Sequence, residues 1–265
     1  MTTKRADILK LQEAFINLTE GEFGEEASWY TTSSHRGVYS EALTIWLMMV
    51  QALHGKSLNG VLSCLREGIA DALLNRNTIS KKAKQRELSS NTGGYSQARE
   101  RVGVEKVSRV TEIITAAMFA RSRRKESIYF LDGTLLTLQQ TPKILKEYPP
   151  HRNQSRKSLP QMRVVFASDY ETGVSTYPSF ASVTGNSEQS LCMDVLEKLE
   201  VGSLVAADRN FGVFSVVSRC SRLGHTSLVR LTNPRALKVL KRKEYPSKPL
   251  DEVVEWEATR HDRLF

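Results

Sequence analysis

Apolar positions recur at helical spacing through the first part of the chain. Residues 7–18 place Ile8, Leu11, Phe15 and Leu18 on one face, with Asp7 the expected N-cap and Gly21 the expected stop. Residues 19–36 are polar and read as a loop. Residues 41–53 predict a strongly apolar helix with Leu43, Trp46, Leu47, Val50 and Leu53 inward, broken by His54-Gly55-Lys56. Ser57 can then cap a helix carrying Leu58, Val61, Leu62 and Leu65. Helix, short turn, helix is compatible with a DNA-reading helix-turn-helix but is more often plain helix packing. Residues 75–94 change character: polar, with Lys81, Lys82, Lys84 and Arg86, they read as a linker or flexible basic loop. A helix over 96–120, with Val107, Val110, Ile114 and Ala117 on one face, follows them.

From residue 127 the period shortens. SIYFLDGTLLTL (127–138) is apolar on both parities, the pattern of a strand covered on both sides, and carries one carboxylate, Asp132, into an expected Gly-Thr turn. Residues 142–160 form a basic, proline-bearing loop. Strands are expected at 162–168 and 174–181, the latter an edge or bent strand because of Pro178. Asn186, with Gln189 three residues on, reads as a capping box opening a helix with Leu191, Val195, Leu196 and Leu199 inward. A strand at 203–207 ends on Asp208; a helix at 214–223 and a strand at 226–231 follow. Strand, strand, strand, helix, strand, helix, strand is an α/β layer architecture with a mixed sheet. After Asn233-Pro234 the chain is basic, and 251–259 alternates like a further strand.

Composition narrows the partners. Net charge is +9 and the isoelectric point near 9.5, which favours a polyanion: nucleic acid first, a membrane surface second. Arg121, Arg123, Arg124 and Lys125 close the 96–120 helix; a helix dipole needs one or two such cations, and the surplus suits phosphate contacts. Cys64, Cys192 and Cys220 are far apart and form no zinc pattern, so buried free thiols in a reducing compartment are expected. No apolar signal core opens the chain, and the longest apolar run falls well short of the ~20 residues a bilayer span needs. A cytoplasmic protein with no membrane partner is the expectation.

The chemistry rests on Asp132 and Asp208. Two strands that each deliver a carboxylate at an exposed position can hold Mg²⁺ through hard oxygen ligands and support displacement at phosphorus. Gly133 would let the backbone pass close to the site, Thr134 could bond a phosphate or orient Asp132, and Arg209 and Asn210 stand where a cation and an amide could touch a flanking phosphate. A turn aspartate before glycine and a helix-capping Asp208 are the structural alternatives. FLDGTLL also looks like the first motif of haloacid-dehalogenase phosphatases, but their nucleophilic aspartate corresponds to Phe130, which cannot attack phosphorus.

YSQARERVG (95–103), FLDGT (130–134), MRVVFASDYETG (162–173), Glu188 with Leu191, GSLVAADRNFG (202–212) and LVRLT (228–232) together resemble the DDE transposases of bacterial insertion sequences, of the insertion-sequence-four type. The resemblance runs from about residue 43 to the end. It implies a ribonuclease-H-like mixed sheet with flanking helices over 127–232, led into by a helix over 95–126, preceded by the α-helical region 1–94, a candidate for DNA binding, and followed over 233–265 by the start of a β-rich insertion that is cut short. It also implies Asp132 and Asp208 as catalytic metal ligands, Mg²⁺ or Mn²⁺ as cofactor, transposon-end and target DNA as partners, and a homodimer in the active complex. The family's third acid is a glutamate on a late helix, in a Tyr-x2-Arg-x3-Glu-x6-Lys pattern. Tyr245, Lys248 and Glu252 mimic the spacing, but lysine replaces arginine, Thr259 replaces lysine, and Pro246 and Pro249 oppose a helix. The resemblance therefore implies a chain truncated at its C-terminus before the third acid, with Glu188 and His261 as weaker substitutes. It leaves two expectations: an enzyme of DNA strand cleavage and transfer, or a catalytically inactive DNA-binding chain that inhibits an intact transposase.

Overall fold

The computed structural model describes residues 2–23, 38–70, 73, 92–121, 126–150, 159–244 and 253–258. They divide into two compact units, Met1–Ala117 and Met118–Phe265, with the boundary inside a long helix.

The first unit is helical among its described residues. Helix α1 spans Thr2–Phe23, longer at both ends than the expected 7–18, so Asp7 lies within it rather than capping it. Ile8 and Phe15 are buried as the periodicity requires. Helix α2 (Glu41–His54) begins at Ser40, whose hydroxyl accepts from the Leu43 amide at 3.2 Å, and stops where Gly55 takes a left-handed conformation (φ 57°). Leu43, Trp46, Leu47 and Val50 are buried. Leu53 shares their face by period but is 65% exposed in the last turn; spacing sets an angle around a helix, not whether a neighbour stands opposite. Helix α3 (Leu58–Arg66) is capped by Ser57, which accepts from the Gly60 amide at 3.1 Å, and buries Val61, Leu62 and Leu65. Helix α4 (Gly93–Arg121) contains a break at Gly103 (φ 73°, ψ 162°), a conformation only glycine adopts without strain. Tyr95, Val102 and Val110 join the core of this unit, and Lys106 pairs with Glu41 at 2.5 Å. The basic stretch 75–91 lies outside the described residues.

The second unit is a five-stranded mixed sheet, β1 (Ile128–Thr137), β2 (Gln161–Asp169), β3 (Ser175–Ser182), β4 (Leu204–Ala207) and β5 (Thr226–Val229), in the order β3-β2-β1-β4-β5. β1 pairs antiparallel with β2 and parallel with β4; β2–β3 is antiparallel and β4–β5 parallel. β3 is an edge strand, as Pro178 requires, and its ladder with β2 is irregular between Val165 and Ala167. Helices α6 (Glu188–Leu196) and α7 (Phe214–Arg222) provide the two crossovers. One sheet face, with Tyr129, Leu131, Val165, Ala167 and Val205, packs with Leu191, Val195, Leu196, Val216 and Cys220 from these helices.

The other face departs from the expectation of cover on both sides. Phe130, Phe180 and Leu228 lie 46%, 49% and 64% exposed on β1, β3 and β5, so the apolar parity of these strands is only partly covered, with Phe130 against the Tyr170 ring and Ala206 of β4 buried. Other local differences have simple causes. Asp132-Gly133-Thr134 forms no turn: β1 runs straight through it, because its full length pairs with β2. Residues expected as loop after β1 include a short helix, α5 (Pro142–Glu147), capped by Thr141 with proline at its start. The cap of α6 is Ser187 with Ser190, one residue beyond the expected Asn186. Asn233 and Pro234 open helix α8 (Asn233–Val239) rather than a strand, and 253–258 form none. Proline suits the first helical turn, where its missing N–H removes no bond.

Candidate functional site

The parallel register of β1 on β4 decides the site. Ile128, Tyr129, Phe130 and Leu131 stand beside Leu204, Val205, Ala206 and Ala207. Asp132 and Asp208 are the next residues along the two chains, one step beyond the last paired positions, Leu131 and Ala207. β4 ends at Ala207 while β1 continues through Asp132 to Thr137, so Asp208 opens the turn after its strand and Asp132 lies within β1. Parallel neighbours lie about 5 Å apart, close enough for two carboxylates to share a cation.

Both side chains are exposed, and each holds its own backbone. Asp132 Oδ1 accepts from the Gly133 amide at 2.8 Å, and Asp208 Oδ1 from the Asn210 amide at 2.8 Å. Asp208 therefore shapes the turn after β4 and does not cap α7, whose N-cap is Val213. In each case the second carboxylate oxygen stays available for a ligand.

Glu188 enters the site more firmly than its sequence position suggests. A Cβ on Gly133 would lie 2.7 Å from the Glu188 Cδ and 3.0 Å from its Cγ and Oε2, so the glutamate occupies the space glycine leaves. Close approach, not a turn, is what Gly133 supplies. The Glu188 carboxylate accepts from the Asn210 side-chain amide, while Gln189 Nε2 donates to Asn210 O at 2.8 Å and to Asn210 Oδ1 at 2.9 Å. Asn210, singled out as a phosphate contact, thus has its side chain committed to the start of α6. Strand alternation turns Gly133 to the covered face with Leu131 and Asp132 to the open one, so Glu188 and Asp132 approach β1 from opposite sides.

Thr134 and Arg209 are exposed beside their aspartates. The Arg209 carbonyl accepts from Arg235 Nη1 at 2.9 Å, and the Gly212 carbonyl from the same nitrogen at 3.3 Å. Arg235 was not anticipated; it ties the start of α8 to the turn that follows Asp208. The Arg121 side chain, Arg123, Arg124, Lys125, Tyr245, Lys248, Glu252 and His261 lie outside the described residues. Cys64, Cys192 and Cys220 are buried and free, as expected. Burial pushes the Cys192 and Cys220 thiols up to about 12 and about 11.

The donor set suits a hard divalent cation: two exposed carboxylates with free oxygens and no thiolate or imidazole beside them. Among the described residues no group of three His, Cys, Asp or Glu side chains is close enough to enclose a metal, so the pair would leave coordination positions for water or substrate oxygens. No described helix is long and apolar enough to cross a membrane.

No family model and no curated protein matches the sequence. Solved structures similar to it include the Mos1 transposase paired-end complex with left transposon end (11% identity, TM-score 0.28, covering 83% of this chain and 66% of that one). The Mos1 mariner paired-end complex with Mn (10% identity, TM-score 0.26, covering 82% and 67%) and a pre-cleavage Mos1 transpososome (9%, 0.25, 86% and 80%) are others. This chain thus spans just under two thirds of the first of these proteins. TM-scores in this range lie below a shared fold and carry no weight for its chemistry.

Proposed function

We propose that the chain acts on DNA as a transposase of the insertion-sequence-four type, cutting at transposon ends and joining the freed 3′-hydroxyl to target DNA. The observation that supports this reading is the parallel register that ends with Leu131 beside Ala207, one residue before the exposed Asp132 and Asp208. The strand order β3-β2-β1-β4-β5, with an antiparallel half and a parallel half, is the order expected of a ribonuclease-H-like core and supports it. The net charge of +9 suits a nucleic-acid partner.

Asp132 and Asp208 would hold Mg²⁺ or Mn²⁺, which when bound supplies Lewis-acid stabilisation of charge on the attacked phosphate. The chain's own residues set the geometry. The Asp208 turn is fastened to α6 through Asn210, Gln189 and Glu188, and to α8 through Arg235. Arg209, exposed beside Asp208, is placed to meet a phosphate flanking the reacting one. With its carboxylate bonded to Asn210 on the opposite face, Glu188 fastens the site rather than serving as its third acid. The active complex would be a homodimer on paired ends.

The test is nicking of labelled DNA carrying the sequences that flank the gene, in Mg²⁺, by the wild type, Asp132→Ala and Asp208→Ala. Loss of nicking in both variants is expected. Equal nicking by all three proteins removes both aspartates from the mechanism. No nicking by any of them, with DNA binding retained, favours the inhibitory, catalytically silent role.

A further inference from the structure

A groove of about 560 Å³ runs between α6 and α7 and reaches the start of α8. Its wall on α7 is Ser215, Ser218, Arg219 and Arg222, spaced at i, i+3, i+4 and i+7, hence one face of the helix. Val216 and Cys220 point the other way, into the core. The α6 side contributes Ser187 and Ser190 from its first turn, and Arg235 closes the end nearest the Asp208 turn. The lining contains three guanidiniums, four hydroxyls, the Gln189 amide and the apolar Met193 and Val213, and no carboxylate. Arg219 is paired with Glu197 at the exposed rim; among the described residues no carboxylate pairs with Arg222 or Arg235. Arg235 spends one nitrogen on two backbone carbonyls, which leaves its charge uncompensated.

An ordinary solvated helix face would carry both signs of charge and project outward. This one is concave, of a single sign and rich in hydroxyls. Guanidinium forks and the Ser215 and Ser218 hydroxyls of α7 suit phosphate oxygens, whereas the Ser187 and Ser190 hydroxyls and amides are spent on each other in the capping box of α6. We infer that this groove binds the sugar-phosphate backbone of a DNA strand on the helical side of the sheet, with Arg235 at the end nearest the turn that follows Asp208. The inference rests on the proposed action on DNA and adds a surface that holds the strand. Recognition here is of the backbone, so it is independent of base sequence.

Binding of a fluorescein-labelled duplex by the full chain is measured by anisotropy over a salt series in EDTA, where no metal-dependent step occurs. Each phosphate contact contributes about 0.9 to the slope of log K against log salt, which at about 0.1 M salt is roughly eightfold in affinity. Arg222→Gln is therefore expected to weaken binding about eightfold and flatten the slope by about 0.9. Glu197→Gln frees Arg219 and is expected to strengthen binding. Lys146→Gln on α5, outside the groove, sets the effect of losing one positive charge anywhere. Loss at Arg222 no larger than at Lys146, or weaker binding by Glu197→Gln, overturns the inference. Anionic lipid vesicles serve as a second polyanion; a larger loss at Arg222 toward vesicles than toward the duplex also overturns it. Because no cleavage is read, an inert Asp132→Ala comparison leaves this result standing, and failure of the groove leaves the aspartate pair untouched.

Discussion

Removing one aspartate of the pair should make the protein more stable without metal and less stable with it. Asp132 and Asp208 each follow the last paired positions of the β1–β4 ladder, Leu131 and Ala207, both face water, and continuing the register by one step would set them about 5 Å apart. Two like charges at that distance in water repel by about 0.8 kcal/mol at low ionic strength, from 332/(80 × 5). Asp132→Asn removes that repulsion, and its carbonyl oxygen can still accept from the Gly133 amide as Oδ1 does now at 2.8 Å. In EDTA and low salt the variant should gain about 0.8 kcal/mol, roughly 2–3 °C in midpoint for a unit of about 150 residues. Divalent cation reverses the order: at ten times its dissociation constant it stabilises the wild type by about 1.4 kcal/mol, through RT ln(1 + 10). The variant, holding one carboxylate, should gain only a fraction of that. Thermal or urea unfolding of both proteins in EDTA and in a Mg²⁺ series reads the crossover, and 0.5 M salt should shrink the gain in EDTA. If Asp132→Asn is the less stable protein in EDTA, or if Mg²⁺ stabilises both equally, the two carboxylates do not form a shared cation site.

Three other outcomes follow from neighbouring geometry. Gly133→Ala drives a methyl into the Glu188 carboxyl group at 2.7 Å, loosening its bond to Asn210; a loss of about 1–3 kcal/mol is expected, largely restored when Glu188→Ala is added, and additive effects in urea unfolding would count against the packing described. Gly212→Ala presses a Cβ into the Arg230 carbonyl oxygen, backbone that cannot step aside, so a loss of about 1–3 kcal/mol should appear in the same assay with no partner substitution rescuing it. Native protein at pH 8 should resist thiol reagents at all three cysteines until it unfolds. Because burial raises the folded thiols of Cys192 and Cys220 from 9.0 to about 12 and about 11, the stability they confer is full below pH 9 and falls away as pH rises through those values; an alkaline urea series flat from pH 8 to 11 would contradict this.

How much of this molecule its sequence determines depends on the range of the interaction involved. The burial of Ile8, Phe15, Leu43, Trp46, Val61 and Leu62, the cap at Ser57, the edge strand around Pro178 and the three buried thiols all follow from local periodicity and backbone chemistry, and all are found. So does the presence of a carboxylate on each of two strands. Where local signals mislead, a longer-range partner is responsible. Asp-Gly-Thr reads as a turn until β2 pairs along the full length of β1, and Leu53 fits the inward face of α2 yet finds nothing opposite. Asn210 resembles a ligand contact until Glu188 and Gln189, about 20 residues before it, engage its side chain. The Arg222 groove exists only because two crossover helices lie side by side. Above all, nothing local relates Asp132 to Asp208, which are 76 positions apart (208 − 132). The parallel register that carries β1 and β4 up to these two residues is set by burying Tyr129, Leu131 and Val205 on one face, where a slip of one residue would turn the whole set outward. Residue types alone provide the carboxylates; the hydrophobic face of the sheet sets the register of the strands that lead to them.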